Sequence, residues 1–116
     1  MADATVFIKY SEKSVCYGQM AAVAGATLTI TSAPTWTLYG PTGAVVNSLT
    51  GQAVTGYTTA PSVQVVQVWQ DFNPSTYALP LGIYTLVFTM AVTGSDGIAR
   101  VEEPSLWINV IADSSS

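Results

Sequence analysis

Charge is scarce in this chain. Three Lys or Arg and seven Asp or Glu make up 9% of its 116 residues, against about 25% in an ordinary soluble domain. A protein that lives alone in water usually stays dispersed through mixed surface charge. Here the polar surface falls to Thr, Ser, Gln and Asn. That suits a chain whose surface is covered by neighbours. A neutral, Thr-rich domain without a partner is the plainer alternative. The net charge is −4, and Lys9, Lys13 and Arg100 are the only cations. Nucleic-acid binding needs cations that displace counterions from phosphates. Three scattered ones make no basic stripe, so neither nucleic acid nor an anionic membrane surface is an expected partner.

Histidine is absent and Cys16 is the only cysteine. An intramolecular disulfide and a thiolate zinc site are therefore excluded. The commonest general base is missing too. Cys16 has no His to activate it as a nucleophile, so it reads as a buried structural thiol. No apolar run approaches about 18 residues, so no membrane-spanning segment is expected. The first ten residues lack the basic region and apolar stretch of a secretion signal, which points to synthesis and folding in a cytoplasm.

What is present is alternation. Tyr84, Leu86, Phe88, Met90 and Val92 occupy every second position, with Thr85, Thr89 and Thr93 among the residues between them. A period of two marks a strand with one face in a core. The turn Gly94-Ser95-Asp96-Gly97 and a further β-rich run follow, as in antiparallel sheet. Residues 5–10 read as a first strand. Residues 26–31 alternate, with Leu28 and Ile30 inward. Trp36 and Leu38 share one face of residues 35–39, and Gly40-Pro41-Thr42-Gly43 turns the chain back through residues 44–46 as a hairpin. Residues 62–70 form a strand whose alternation slips between Val65 and Val66, so either a bulge absorbs the slip or both faces are covered. Asp71-Phe72-Asn73-Pro74-Ser75 ends it. Residues 97–101 start another strand, which Pro104 interrupts. In the last strand Leu106, Ile108 and Val110 share a face, and Trp107 lies on the other. Residues 14–25 read as a loop or short helix, and residues 47–61 as a loop or short edge strand.

The expected fold class is all-β: an antiparallel two-sheet sandwich of about seven or eight strands. At 116 residues it is a single domain. It is expected to comprise an N-terminal strand and arm over residues 1–25, the sandwich over 26–111 and a flexible tail over 112–116. The expected core is Leu28, Ile30, Trp36, Leu38, Tyr84, Leu86, Phe88, Met90, Leu106, Ile108 and Val110.

This arrangement resembles the immunoglobulin-like domains. Thr27-Leu28-Thr29-Ile30 looks like their strand B. Thr35-Trp36-Thr37-Leu38-Tyr39 looks like strand C with its inward Trp. Leu81 to Leu86 looks like the corner opening strand F, with Tyr84 as the tyrosine-corner residue, and residues 106–111 look like strand G. Leu28 or Ile30, with Leu86 or Phe88, would fill the centre that a disulfide occupies in antibody domains. The resemblance covers residues 26–111. A narrower likeness is to small immunoglobulin-like proteins among the structural genes of tailed bacteriophages, carried by few charges, many Thr and Gly, and the Gly82-Ile83-Tyr84-Thr85-Leu86 strand. It implies residence in a virion, homo-oligomers, and partners among other virion proteins: the major capsid protein, or neck or tail components.

The acids form no catalytic pattern. Glycoside hydrolysis needs two carboxylates facing each other across a bond, but adjacent Glu102 and Glu103 point to opposite faces of a strand. Asp96 sits in a turn without the row of acids that a calcium ion, with about six to eight oxygen ligands, would need. No enzyme activity, cofactor or metal is expected. Trp69, Trp107, Tyr57 and Tyr77 are the candidate protein-interface residues. Residues 1–25, the loop 47–61 and the tail are the candidate contact segments. The other reading is an adhesion module presenting Tyr57, Trp69 and Tyr77 to a glycan.

Overall fold

The computed structural model describes residues 2–113, with side chains from residue 5 onward. Ten strands form two sheets. They are β1 (Ala2–Lys9), β2 (Ser14–Ala21), β3 (Leu28–Ile30), β4 (Thr35–Tyr39), β5 (Gln52–Ala53), β6 (Gly56–Tyr57), β7 (Val65–Phe72), β8 (Gly82–Gly94), β9 (Ala99–Glu102) and β10 (Ser105–Ile111). The larger sheet runs β1-β10-β8-β4-β5, and the smaller runs β2-β7-β6. The fold is an all-β sandwich. Its count exceeds the expected seven or eight because two edge strands are only two residues long and two strand lines are broken.

β8 is the spine. Its inward set, Tyr84, Leu86, Phe88, Met90 and Val92, is buried throughout. At thirteen residues it is long enough to serve two neighbours on each side. β10 and β4 flank its first half; β9 and β3 flank its second. The breaks fall where proline removes a ladder donor: Pro34 between β3 and β4, and Pro104 between β9 and β10. The Pro104 carbonyl still accepts the Phe88 N–H at 2.9 Å. β1 lies parallel to β10, with a register irregularity between Ala2 and Thr5.

Residues 14–25 overturn the loop-or-helix expectation. Most of them are β2, an eight-residue strand paired with β7 without a register shift. The signal was weak because one inward position is Gly18, which has no side chain to mark the period. Its space is taken from across the core: a Cβ built there would lie 2.8 Å from the Phe88 ring and 3.0 Å from Pro104. The first 25 residues are thus not an arm outside the core but supply two strands of the sandwich.

Residues 27–30 are not the strand-B equivalent, because β3 is hydrogen-bonded to β8 in the larger sheet. β2 holds that place, and with it β7 and β6 stand as E and D, while β4, β8 and β10 stand as C, F and G. The tyrosine corner is formed: the Tyr84 hydroxyl donates to the Pro80 carbonyl at 2.6 Å. Burial raises its pKa and keeps the donor proton in place. Counting two residues on from this corner puts Leu86 at the centre. Buried Cys16 on β2 shares its core cluster, in place of Leu28 or Ile30. Tyr84→Phe is expected to lower unfolding free energy by about 1–2 kcal/mol, the worth of one partly buried hydrogen bond. Urea denaturation of the two chains measures it.

Val65 and Val66 need no bulge. β7 keeps strict alternation, with Val66, Val68, Gln70 and Phe72 inward and Val65 simply exposed. The strand continues through Phe72 rather than ending before it, because that ring is fully buried. The hairpin over 35–46 is only partly formed. Gly40 and Ala44 close the turn at 2.8 Å, but Val45 makes one isolated bridge to Tyr39. The regular partner of β4 on that side is β5. Residues 47–61 contain the two short strands β5 and β6.

The main core gathers Ile8, Trp36, Leu38, Phe72, Leu79, Tyr84, Leu86, Phe88, Leu106, Ile108 and Val110 with Cys16 and others. A smaller cluster joins Leu28, Val66, Met90 and Val92, and Ile30 packs half-buried on its edge. Of the tail, residues 114–116 lie outside the described residues. Asp113 is tied down, its carboxylate accepting the Ser11 N–H at 2.8 Å.

Candidate functional site

The outward side of the larger sheet is set by the same alternation that builds the core. When the even residues of β8 and β10 point inward, the odd ones point out. The register then places them in rows. Phe7, Asn109 and Ile83 form one row across β1, β10 and β8. Thr5, Trp107, Thr85 and Tyr39 form the next, reaching β4. Ser105, Val87 and Thr37 follow, then Thr89 beside Thr35. None of these side chains is charged. Phe7 is 63% exposed, Ile83 53% and Trp107 45%. Charge is confined to the margin. Lys9 ends β1, and the Glu103 carboxylate lies 3.5 Å from the Thr89 hydroxyl. The face thus has an apolar and hydroxyl centre with charge at its rim.

Trp107 stands at the middle of this face. The other aromatics named from the sequence do not join it. Tyr57 opposes inward-facing Val68 on β7 and packs half-buried against the core. Trp69 points the other way, outward from the smaller sheet, with its indole over Gly56; a Cβ at Gly56 would fall 2.5 Å from that ring. Tyr77 belongs to an internal aromatic group. Its ring centroid is 5.6 Å from Trp36 and 5.4 Å from Phe72. A 3-10 turn, Pro74–Tyr77, holds it there, capped by Asn73, whose side chain accepts the Ser75 N–H. Tyr57, Trp69 and Tyr77 therefore form no common platform for a sugar. Sequence reading did not name Ile83, and it covered Phe7 and, on the smaller sheet, exposed Tyr17 beside Trp69 only as part of the candidate contact segment 1–25. Alternation could have flagged Ile83, which precedes Tyr84 on the clearest strand.

Four carboxylates are engaged in local structure: Glu12, Asp96, Glu103 and Asp113. Asp96 accepts the Ile98 N–H at 3.0 Å and pairs with Arg100 at 2.9 Å. The hydrogen bond from Arg100 chiefly holds its pKa below the usual carboxylate value. Glu12 accepts the Lys9 N–H at 3.2 Å. The Asp96–Arg100 pair borders a recess of about 320 Å³ that also takes in Met20, Val23 and Leu28. Among the described residues no group of three or more His, Cys, Asp or Glu is placed to hold a metal ion. Burial pushes the Cys16 thiol up to about 12, so it is protonated at neutral pH and inert as a nucleophile. No helix among the described residues is long and apolar enough to cross a membrane.

No protein-family model matches the chain, and no curated protein matches it significantly.

Proposed function

We propose that this chain is a structural protein of a tailed-phage virion, binding and stabilising the capsid through protein–protein contacts. The uncharged outer face of the larger sheet carries the reading. A face with Phe7, Ile83 and Trp107 open to water gains free energy when covered, at about 25 cal/mol per Å² of apolar area removed from water. Docking entropy offsets part of that gain. Repetition on a lattice multiplies weak single contacts into a firm attachment. The likeness to immunoglobulin-like phage proteins supplies the setting, by analogy of fold and composition.

Density-gradient banding of particles assembled in the presence of tagged chain tests the proposal. The wild-type chain is expected to band with capsids. Phe7→Ser with Trp107→Ser, folded by circular dichroism, is expected to stay at the top of the gradient. Each truncated aromatic removes about 2 kcal/mol of contact, roughly thirtyfold in affinity. Absence of the wild-type chain from every particle band overturns the assignment.

A further inference from the structure

Sheets expose edges as well as faces, and an unpaired edge is a template for another strand. Five of the six outer strand edges in this sandwich are blunted. β5 and β6 are two residues long and β3 is three. β9 is four and carries Arg100 and Glu102. β1 has its register irregularity and ends in Lys9. β2 has none of these protections. Its eight residues, Ser14–Ala21, contain no charge and no proline, and they pair with β7 without a shift. No described segment is hydrogen-bonded to its other side.

The direction of its backbone groups follows from one contact. The Ala22 N–H donates to the Gln64 carbonyl at 2.7 Å, continuing the β2–β7 register by one pair. Backbone groups alternate sides along a strand, so Met20, Gly18, Cys16 and Ser14 also turn theirs toward β7. The Thr58 N–H reaching the Gln67 carbonyl at 2.9 Å agrees, because it places the groups of odd-numbered β7 residues on the β6 side. Val15, Tyr17, Gln19 and Ala21 therefore aim their N–H and C=O groups out of the open edge.

The geometry points to antiparallel pairing of β2 with β2 of a second copy of this chain, about a two-fold axis through Gly18. In that register Val15 opposes Ala21 and Tyr17 opposes Gln19. Each such pair exchanges both of its hydrogen bonds, so every outward donor and acceptor from Val15 to Ala21 is satisfied. The axis falls on a non-hydrogen-bonded position, where strands approach most closely, and glycine on both copies leaves that approach clear. No like charges meet, although the chain as a whole is at −4. The contact is isologous and closes at two copies, joining the two small sheets into one of six strands. A foreign strand would find the same hydrogen bonds, but only a second copy brings an edge that mirrors this one residue for residue.

Sedimentation velocity on the full chain across a concentration series is the test. The expected result is a species of twice the monomer mass. Gln19→Pro removes one outward N–H and is expected to weaken the dimer at least tenfold while leaving the circular dichroism unchanged, since that donor faces away from β7. Tyr17→Lys, a surface change, is expected to weaken it similarly and serves if the proline variant does not fold. Chains bearing Tyr17→Cys, mixed with chains bearing Gln19→Cys, are expected to cross-link on mild oxidation; hydrogen-bonded pairs place Cα atoms about 5.5 Å apart, within disulfide reach. A monomer at all concentrations overturns the inference. So does a dimer indifferent to both β2 variants, or one abolished by Trp107→Ser alone. Capsid attachment does not enter these measurements, so their failure leaves the virion reading standing.

Discussion

Trp36→Ala is expected to cost this domain about 3–5 kcal/mol, the range for truncating a buried aromatic. Trp36 is 2% exposed and stands edge-on to two other rings, Phe72 at 6.1 Å and Tyr77 at 5.6 Å. Its indole N–H also donates to the Ala53 carbonyl at 3.1 Å. The side chain thus joins three regions: β4, the short edge strand β5, and the aromatic group at the end of β7. Removing it leaves a cavity between the sheets and an unpaired carbonyl on β5. A small domain has only about 5–15 kcal/mol in hand, so the variant sits near the limit of folding. Thermal unfolding should shift down by about 12–20 °C. Hydrogen exchange should rise first in β5 and the Pro74–Tyr77 turn. A loss below about 1.5 kcal/mol would mean that the ring does not fill the space between the sheets.

Gly18→Val tests the second dependency, and its sign is contested by two effects. Valine is the better strand former, with a propensity scale spanning about 1 kcal/mol. Against it stands space. The new Cβ would lie 2.8 Å from the ring of fully buried Phe88 and 3.0–3.2 Å from Pro104. Neither neighbour moves easily, since Phe88 lies mid-strand and its N–H is bonded to the Pro104 carbonyl. Overpacking costs about 1–3 kcal/mol and at times more, so space wins. A net loss of about 2–3 kcal/mol in urea unfolding is expected. Gln19→Val, one residue on and exposed, is the control and should be near neutral. Adding Phe88→Leu should recover part of the loss, because the two sites share one volume and their effects are coupled. An additive double variant would disprove that contact.

Legibility in the sequence followed side-chain size. Strands β4, β8 and β10 were readable because large apolar residues fall on every second position, and Pro104 correctly marked the break before β10. β2 was not readable, since its inward positions are Cys16, Gly18 and Met20, too uneven to display a period. With β2 unmarked by any period, residues 27–30 are the nearest clear strand before β4 and so take the strand-B place, while the places of β4, β8 and β10 are unaffected. The slip between Val65 and Val66 implies, from the sequence, a bulge or a doubly covered strand. The structure answers with one exposed valine, because the start of a strand tolerates an apolar residue in water at small cost.

Tyr57 and Tyr77 illustrate a second limit. Both look like surface aromatics, being embedded among Thr, Ser, Pro and Gly. Local composition says nothing of what folds over them. Tyr77 is carried inward by a capped turn against Trp36 and Phe72, and Tyr57 by its pairing with Val68.

The amino-acid order alone dictated a β chain with one buried side per strand, since side-chain alternation is a local property of extended backbone. It also supplies no His, one Cys and three cations, so a Cys–His pair, a disulfide within the chain and a multi-Cys metal set cannot be built from it. Which strands lie side by side was decided only in three dimensions. The parallel docking of β1 on β10 brings residues about a hundred positions apart into one row, and no local pattern encodes that meeting. It is this pairing that gathers Phe7, Trp107 and Ile83 on one uncharged face. The loop closure that gathers them is opposed by chain entropy and repaid by burying Ile8, Ile108 and Val110 beneath, a balance set by the whole core.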